Sequence, residues 1–167
     1  AANKNLHTLP YAEGCFIGNI GNYAFADCVQ LTEAMIPATT TVLGDGVFSG
    51  CERVREVTFQ SRQQEITFGA NVFEGCSRLT TVNLPATIGY FNGSAFAGCE
   101  SITEIVVDPA NTNFAAYEGA LYTKDYSELL FYPRMLDGNM ENLHANVKKI
   151  GDNVFQGNPK ITKAVIG

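Results

Sequence analysis

The chain has 167 residues, ample for one hydrophobic core and short for two. Hydrophobic residues make up 46% and charged residues 17%, a globular rather than a disordered balance. A net charge of -6 with only 11 Lys plus Arg argues against nucleic acid and against an anionic membrane surface, and no apolar run approaches a bilayer span.

The chain opens Ala1-Ala2-Asn3, which reads as a processed or excised piece whose leader has been removed. Residues 1–19 are irregular, with Leu9-Pro10 as the candidate tail of a partial repeat. From residue 20 a period takes over. Phe25, Phe48, Phe73, Phe96 and Phe155 are each preceded by Ala or Val, and the first four lie 23, 25 and 23 residues apart. Three residues after each Phe stand Cys28, Cys51, Cys76, Cys99 and then Asn158. Apolar columns follow at Leu31, Val54, Leu79 and Ile102, at Ala34, Val57, Val82 and Ile105, and at Ile36, Phe59, Leu84 and Val107. Five residues before each Phe stand Ile20, Leu43, Phe68, Phe91 and Ile150, usually followed by Gly.

Each column has a physical reading. The alternation at Val82 and Leu84 is that of a half-buried strand, and one such strand per repeat predicts parallel stacking about 4.8 Å apart. Pro37 and Pro85 end the strand because proline has no N–H to donate. A short helical turn is expected before each Phe, with Asp45 and Asp152 as N-caps. Gly50, Gly75, Gly98 and Gly157 suit a left-handed residue at its end. No single repeat can bury its own apolar face, so stability must come from stacking.

Ile20-Gly21-Asn22-Tyr23-Ala24-Phe25-Ala26-Asp27-Cys28 and Leu79-Thr80-Thr81-Val82-Asn83-Leu84-Pro85 carry the motif most fully. It resembles the BspA-like branch of the leucine-rich repeats over roughly residues 20–167. The resemblance implies an α/β solenoid. It would be a right-handed superhelix with one concave parallel β-sheet, short helical turns opposite, and one β-hairpin insertion. It also implies bacterial surface or secreted proteins linked to adhesion, and it brings no catalytic residue or cofactor. One domain is expected: residues 1–19 irregular, 20–107 four regular repeats, 108–142 the insertion and 143–167 the final repeat. The insertion reads as a hairpin, with Leu121-Tyr122 and Leu129–Pro133 around a turn at 124–127. Gly167 follows directly on the last strand. An uncapped solenoid end exposes its core, so the polypeptide is expected to continue or to be covered by a partner.

The cysteine column is read as small buried thiols beside the Phe column, because Cβ vectors in a stack point the same way. Cys15 lies off the column. His7 and His144 belong to no recognisable triad, and His144 is expected in a surface turn. Glu33, Glu56 and Glu104 form a column that paired-carboxylate hydrolysis could use, but the repeat makes it a solvated strand face. Calcium remains open at Asp108, Asn111 and Asn113 and at Asp137, Asn139 and Glu141, although turns take the same residues for backbone reasons.

Binding is expected on the concave row: Glu33, Met35, Arg55, Glu56, Thr58, Thr81, Asn83, Glu104, Val106, Lys163 and Val165. The rival surface is an aromatic face on the hairpin, from Leu121, Tyr122, Phe131 and Tyr132. The leading expectation is a non-catalytic extracellular module recognising protein or glycan, with no nucleic acid and no membrane insertion. The alternative is a structural spacer or assembly segment of a larger surface protein.

Overall fold

The computed structural model describes residues 3–11, 14–60, 64–136, 143–156 and 158–162. Its strands run in chain order β1 (Asn19–Ile20), β2 (Glu33–Ile36), β3 (Val42–Leu43), β4 (Glu56–Phe59), β5 (Ile66–Phe68) and β6 (Thr81–Leu84). They continue as β7 (Ile88–Tyr90), β8 (Glu104–Val107), β9 (Phe114–Tyr117), β10 (Ala120–Thr123), β11 (Glu128–Phe131) and β12 (Lys149–Ile150). The chain is a β-solenoid. The expected strands form one parallel sheet in the order β2-β4-β6-β8. Its register matches the period, with Ala34 opposite Val57, Val57 opposite Val82 and Val82 opposite Ile105.

A second parallel sheet, β1-β3-β5-β7, is an addition to the expected architecture. It uses the column five residues before each Phe, with Ile20 opposite Leu43 and Leu43 opposite Phe68. The Phe column fills the space beyond. Phe25, Phe48, Phe73 and Phe96 stack face to face, with ring centroids 5.5, 5.4 and 5.5 Å apart. Phe131 adds a tilted ring 5.6 Å from Phe96. Phe48, Phe73 and Phe96 are fully buried, each worth about 1.5–3 kcal/mol of transfer free energy.

The helical turns do not form: no helix occurs among the described residues. Every second donor is used between coils, while those of Ala24, Ala26 and Cys28 close tight turns on the carbonyls of Gly21, Tyr23 and Phe25. Tyr23, Phe25 and Asp27 donate their N–H groups to the carbonyls of Asp45, Val47 and Ser49 in the next coil. Gly46, Phe48 and Gly50 repeat this toward Ala70, Val72 and Glu74. Left-handed residues two before and two after the Phe, such as Gly46 (φ 58°) and Gly50 (φ 73°), aim the groups outward and stop a helical ladder. Asp45 is therefore no N-cap. Its carboxylate accepts the N–H of Ala70 at 2.8 Å in the next coil, just as Asn22 Oδ1 accepts that of Asp45 at 2.9 Å.

The insertion holds three strands rather than two. β9 and β10 pair antiparallel, and the intervening Glu118 and Gly119 have φ of 50° and 80°, as a tight primed turn requires. β11 pairs antiparallel with β10 and parallel with β12, where Lys149 meets Glu128 in an ion pair of 2.7 Å. Gly151 N–H donates to Leu129 carbonyl, the bond that Gly44 makes to Ile20 in an ordinary coil. Residues 128–136 thus take the place of a coil beneath the last one.

β10 divides two cores. Leu121 points into the main one, while Ala120 and Tyr122 join Leu129, Tyr132 and Val154 in a second. The aromatic hairpin face is therefore corrected. Tyr122 is 1% exposed and Tyr132 6%, because both enter the second core, and Phe131 of β11 packs on Phe96 of the main one.

Candidate functional site

The open face of the first sheet presents two columns. One is Glu33, Glu56, Thr81 and Glu104, and the other is Met35, Thr58, Asn83 and Val106. Strand alternation puts them outward, since Ala34, Val57, Val82 and Ile105 between them are buried. The local contacts are polar and cross between strands. Thr58 hydroxyl donates to Glu33 Oε1 at 3.2 Å, and Gln60 Nε2 donates to Met35 Sδ at 3.5 Å.

The centre of this face is a groove of about 320 Å³ lined by Glu56, Thr58, Phe59, Asn83, Pro85, Val106 and Asp108, with Val57 and Leu84 at its floor. It gathers four of the expected residues, Glu56, Thr58, Asn83 and Val106. Glu33 and Met35 sit on β2, outside it. Glu104 is exposed at the start of β8 beside the insertion's turn, where Ile105 N–H donates to Gly119 carbonyl. Arg55 stands one residue before β4, exposed, in a row with Thr32, Thr80 and Thr103 linked by main-chain hydrogen bonds. Lys163 and Val165 lie outside the described residues.

Sequence reasoning missed Asp108, Phe59 and Pro85 as groove residues. The residue type of Asp108 fits the calcium cluster of the sequence reading, yet its N–H donates to Leu84 carbonyl, which anchors it at the end of β8. A strand-end carboxylate in register with the columns was the available signal.

The calcium reading of 108–113 is displaced. Asn111 is buried, and its Oδ1 accepts the N–H groups of Asn113 and Phe114, both at 2.8 Å. Its Nδ2 donates to the carbonyls of Pro85 and Ile88, so the side chain is committed to holding the loop. Asp137, Asn139 and Glu141 lie outside the described residues.

The thiols are likewise committed. Cys51, Cys76 and Cys99 donate to the carbonyls of Phe25, Phe48 and Phe73 in the preceding coil at 3.1, 3.3 and 3.0 Å. Asn158, which replaces the column Cys, keeps the donor and reaches Pro133 carbonyl at 3.5 Å. Burial pushes the Cys51 and Cys99 thiols up to about 12, far from a reactive thiolate. His144 is not a free surface histidine. It stacks on Tyr126 with centroids 4.1 Å apart and meets Tyr117 edge-on at 5.0 Å.

Several comparisons bear on this geometry. A family model described as the BspA type leucine rich repeat region matches residues 18–123 in 6 copies. No curated protein sequence matches the chain. The solved structure of the pneumococcal vaccine antigen PcpA is similar at 21% identity and a TM-score of 0.77, over 90% of this chain and 37% of that one. A leucine-rich repeat protein from Eubacterium ventriosum is similar at 22% identity and a TM-score of 0.67, over 89% of this chain and 45% of that one. At these identities the likeness is one of fold, and the chain spans less than half of either structure.

Proposed function

The chain belongs to the BspA-type leucine-rich-repeat family, and from that premise we propose that it is a non-catalytic binding module, outside the cell or on its surface, that holds a protein or glycan on the open face of its first sheet. The observation that carries this reading is the groove across β4, β6 and β8. It is a continuous, solvent-facing depression built by side chains of three neighbouring strands, in the middle of the face that stacked repeats leave unpartnered. The reactive groups support a non-catalytic role, since the column thiols serve as inter-coil donors and His144 serves as a stacking partner. No helix among the described residues is long and apolar enough to cross a membrane.

The test is a screen against extracellular-matrix proteins and glycans, with the parent and a Glu56→Ala, Asn83→Ala, Glu104→Ala triple variant. Binding by the parent and at least a tenfold loss in the variant are expected. Unchanged binding would move the site off this face. A folded parent that captures nothing would favour the spacer role instead.

A further inference from the structure

Resting on the reading that this face binds a ligand, we propose that the groove takes an extended polypeptide segment carrying two basic residues four positions apart with an apolar residue midway.

The spacing follows from register. Glu56 opens β4 and is level with Thr81 and Glu104, while Asp108 lies four residues beyond Glu104. The two carboxylates are therefore about 10 Å apart across two strand spacings and about 13 Å apart along the strands, roughly 16 Å in all. In an extended segment, residues i and i+4 project from the same side about 13 Å apart, and the flexible stems of Lys or Arg span the remainder. Residue i+2 then falls mid-groove, where Val106 is 42% exposed and Phe59 and Pro85 form partly covered walls. Asn83 lies beside that point and can both donate to and accept from a bound main chain.

Charge complementarity selects the basic ends. The chain carries -6, and the face adds Glu33 and Glu104 to the two groove carboxylates, while the exposed Arg55 stands outside the groove lining. Among the described residues neither Glu56 nor Asp108 enters an ion pair. Asp108 Oδ1 accepts the N–H of Ala110 at 2.8 Å, which holds the carboxylate at the groove's end and leaves its other oxygen for a ligand. A neutral sugar can donate hydroxyls to these carboxylates but brings no opposite charge to complement them. An acidic segment would be repelled by them.

The experiment titrates the intact chain, followed by amide chemical shifts, with two synthetic peptides of seven residues and identical composition. One has lysines at positions two and six with valine at four. The other has the two lysines adjacent. The first should bind at least fivefold tighter, shifting the amides of β4, β6 and β8. A Glu56→Gln, Asp108→Asn double variant should bind it at least tenfold more weakly. A Glu52→Gln, Glu74→Gln variant on the opposite, turn side should match the parent. Equal affinity for the two peptides, or equal losses in both double variants, would reduce the effect to general charge and overturn the proposal. So would no binding of either peptide. If instead capture of a matrix protein or glycan still depends on Glu56, Asn83 and Glu104, the face remains a binding site and only the basic-segment proposal fails.

Discussion

The column thiols show what a single residue does here. A cysteine donates across the coil boundary from a site too dry for a charged group, and Asn158 preserves the donor where the sulfur is lost. The column was legible because a repeated residue type at a fixed offset announces itself. Its partner was not, since a carbonyl one coil away leaves no mark in composition. Asn111 shows the converse. Its residue type fits a metal ligand and a loop anchor equally well, and only four hydrogen bonds at one buried amide separate them. Burial also gives the thiols a signed pH dependence. Cys51 and Cys99 hold their protons more tightly when folded, rising from an ordinary 9.0 to about 12. Their contribution to stability is complete below 9.0 and is lost as pH climbs from there through about 12. Each thiol adds at most about 1.4 kcal/mol per pH unit to the slope. Urea midpoints between pH 8 and pH 11 should therefore fall more steeply for the parent than for a Cys51→Ala, Cys99→Ala variant. Parallel curves would contradict this.

Among the elements, the four strands of the first sheet were readable because each shows alternation over several residues. The second sheet was not, because its strands are two or three residues long, too short for a period, and only Ile66 and Phe68 of β5 alternate beside the shared apolar column. The turns were misread for a related reason. Asp, Gly and small residues before and after an aromatic suit a capped helical turn and a left-handed inter-coil turn alike, and neighbouring coils decide between them. Two glycines separate the forces at work. Gly75 has φ of 71°, but an added Cβ would lie 3.7 Å from the nearest atom, so Gly75→Ala bears only the left-handed cost of about 1–2 kcal/mol. At Gly69 the φ is not left-handed, but a Cβ would lie 2.6 Å from Gly44 main-chain carbon and 2.7 Å from Asp45 N. Gly69→Ala must push two coils apart, and we expect it to cost more than Gly75→Ala by about 2 kcal/mol. Thermal melts of the two variants make the comparison, and the reverse order would refute the close-approach argument.

At the scale of the whole molecule, the period made the solenoid legible and hid its partition. The insertion's apolar residues looked like a face to offer, yet β10 is buried on both sides and separates two cores. A single sequence cannot announce a strand with two neighbours, because its uniform burial reads as one apolar run. The partition predicts two opening events. Amides of β11 and β12 should exchange through a separate opening at lower free energy than those of β4 and β6, because the second core is the smaller one. One common exchange free energy for all four strands would contradict the division. Both edges of the first sheet are met by other segments: Tyr11 hydroxyl donates to Met35 carbonyl at 2.6 Å on β2, and Gly119 carbonyl accepts from Ile105 on β8. The turns on the other side carry a different consequence. Over the first coils alternate peptide units are aligned: the carbonyls of Asp45, Val47 and Ser49 face the preceding coil, and the N–H groups of Gly46, Phe48 and Gly50 face the following one. The amide dipoles therefore add along the stacking axis, as they do in an α-helix but at right angles to the chain and with the positive pole toward the later coils. The stack is a polarised rod, and two such rods can join these turns end to end only head to tail.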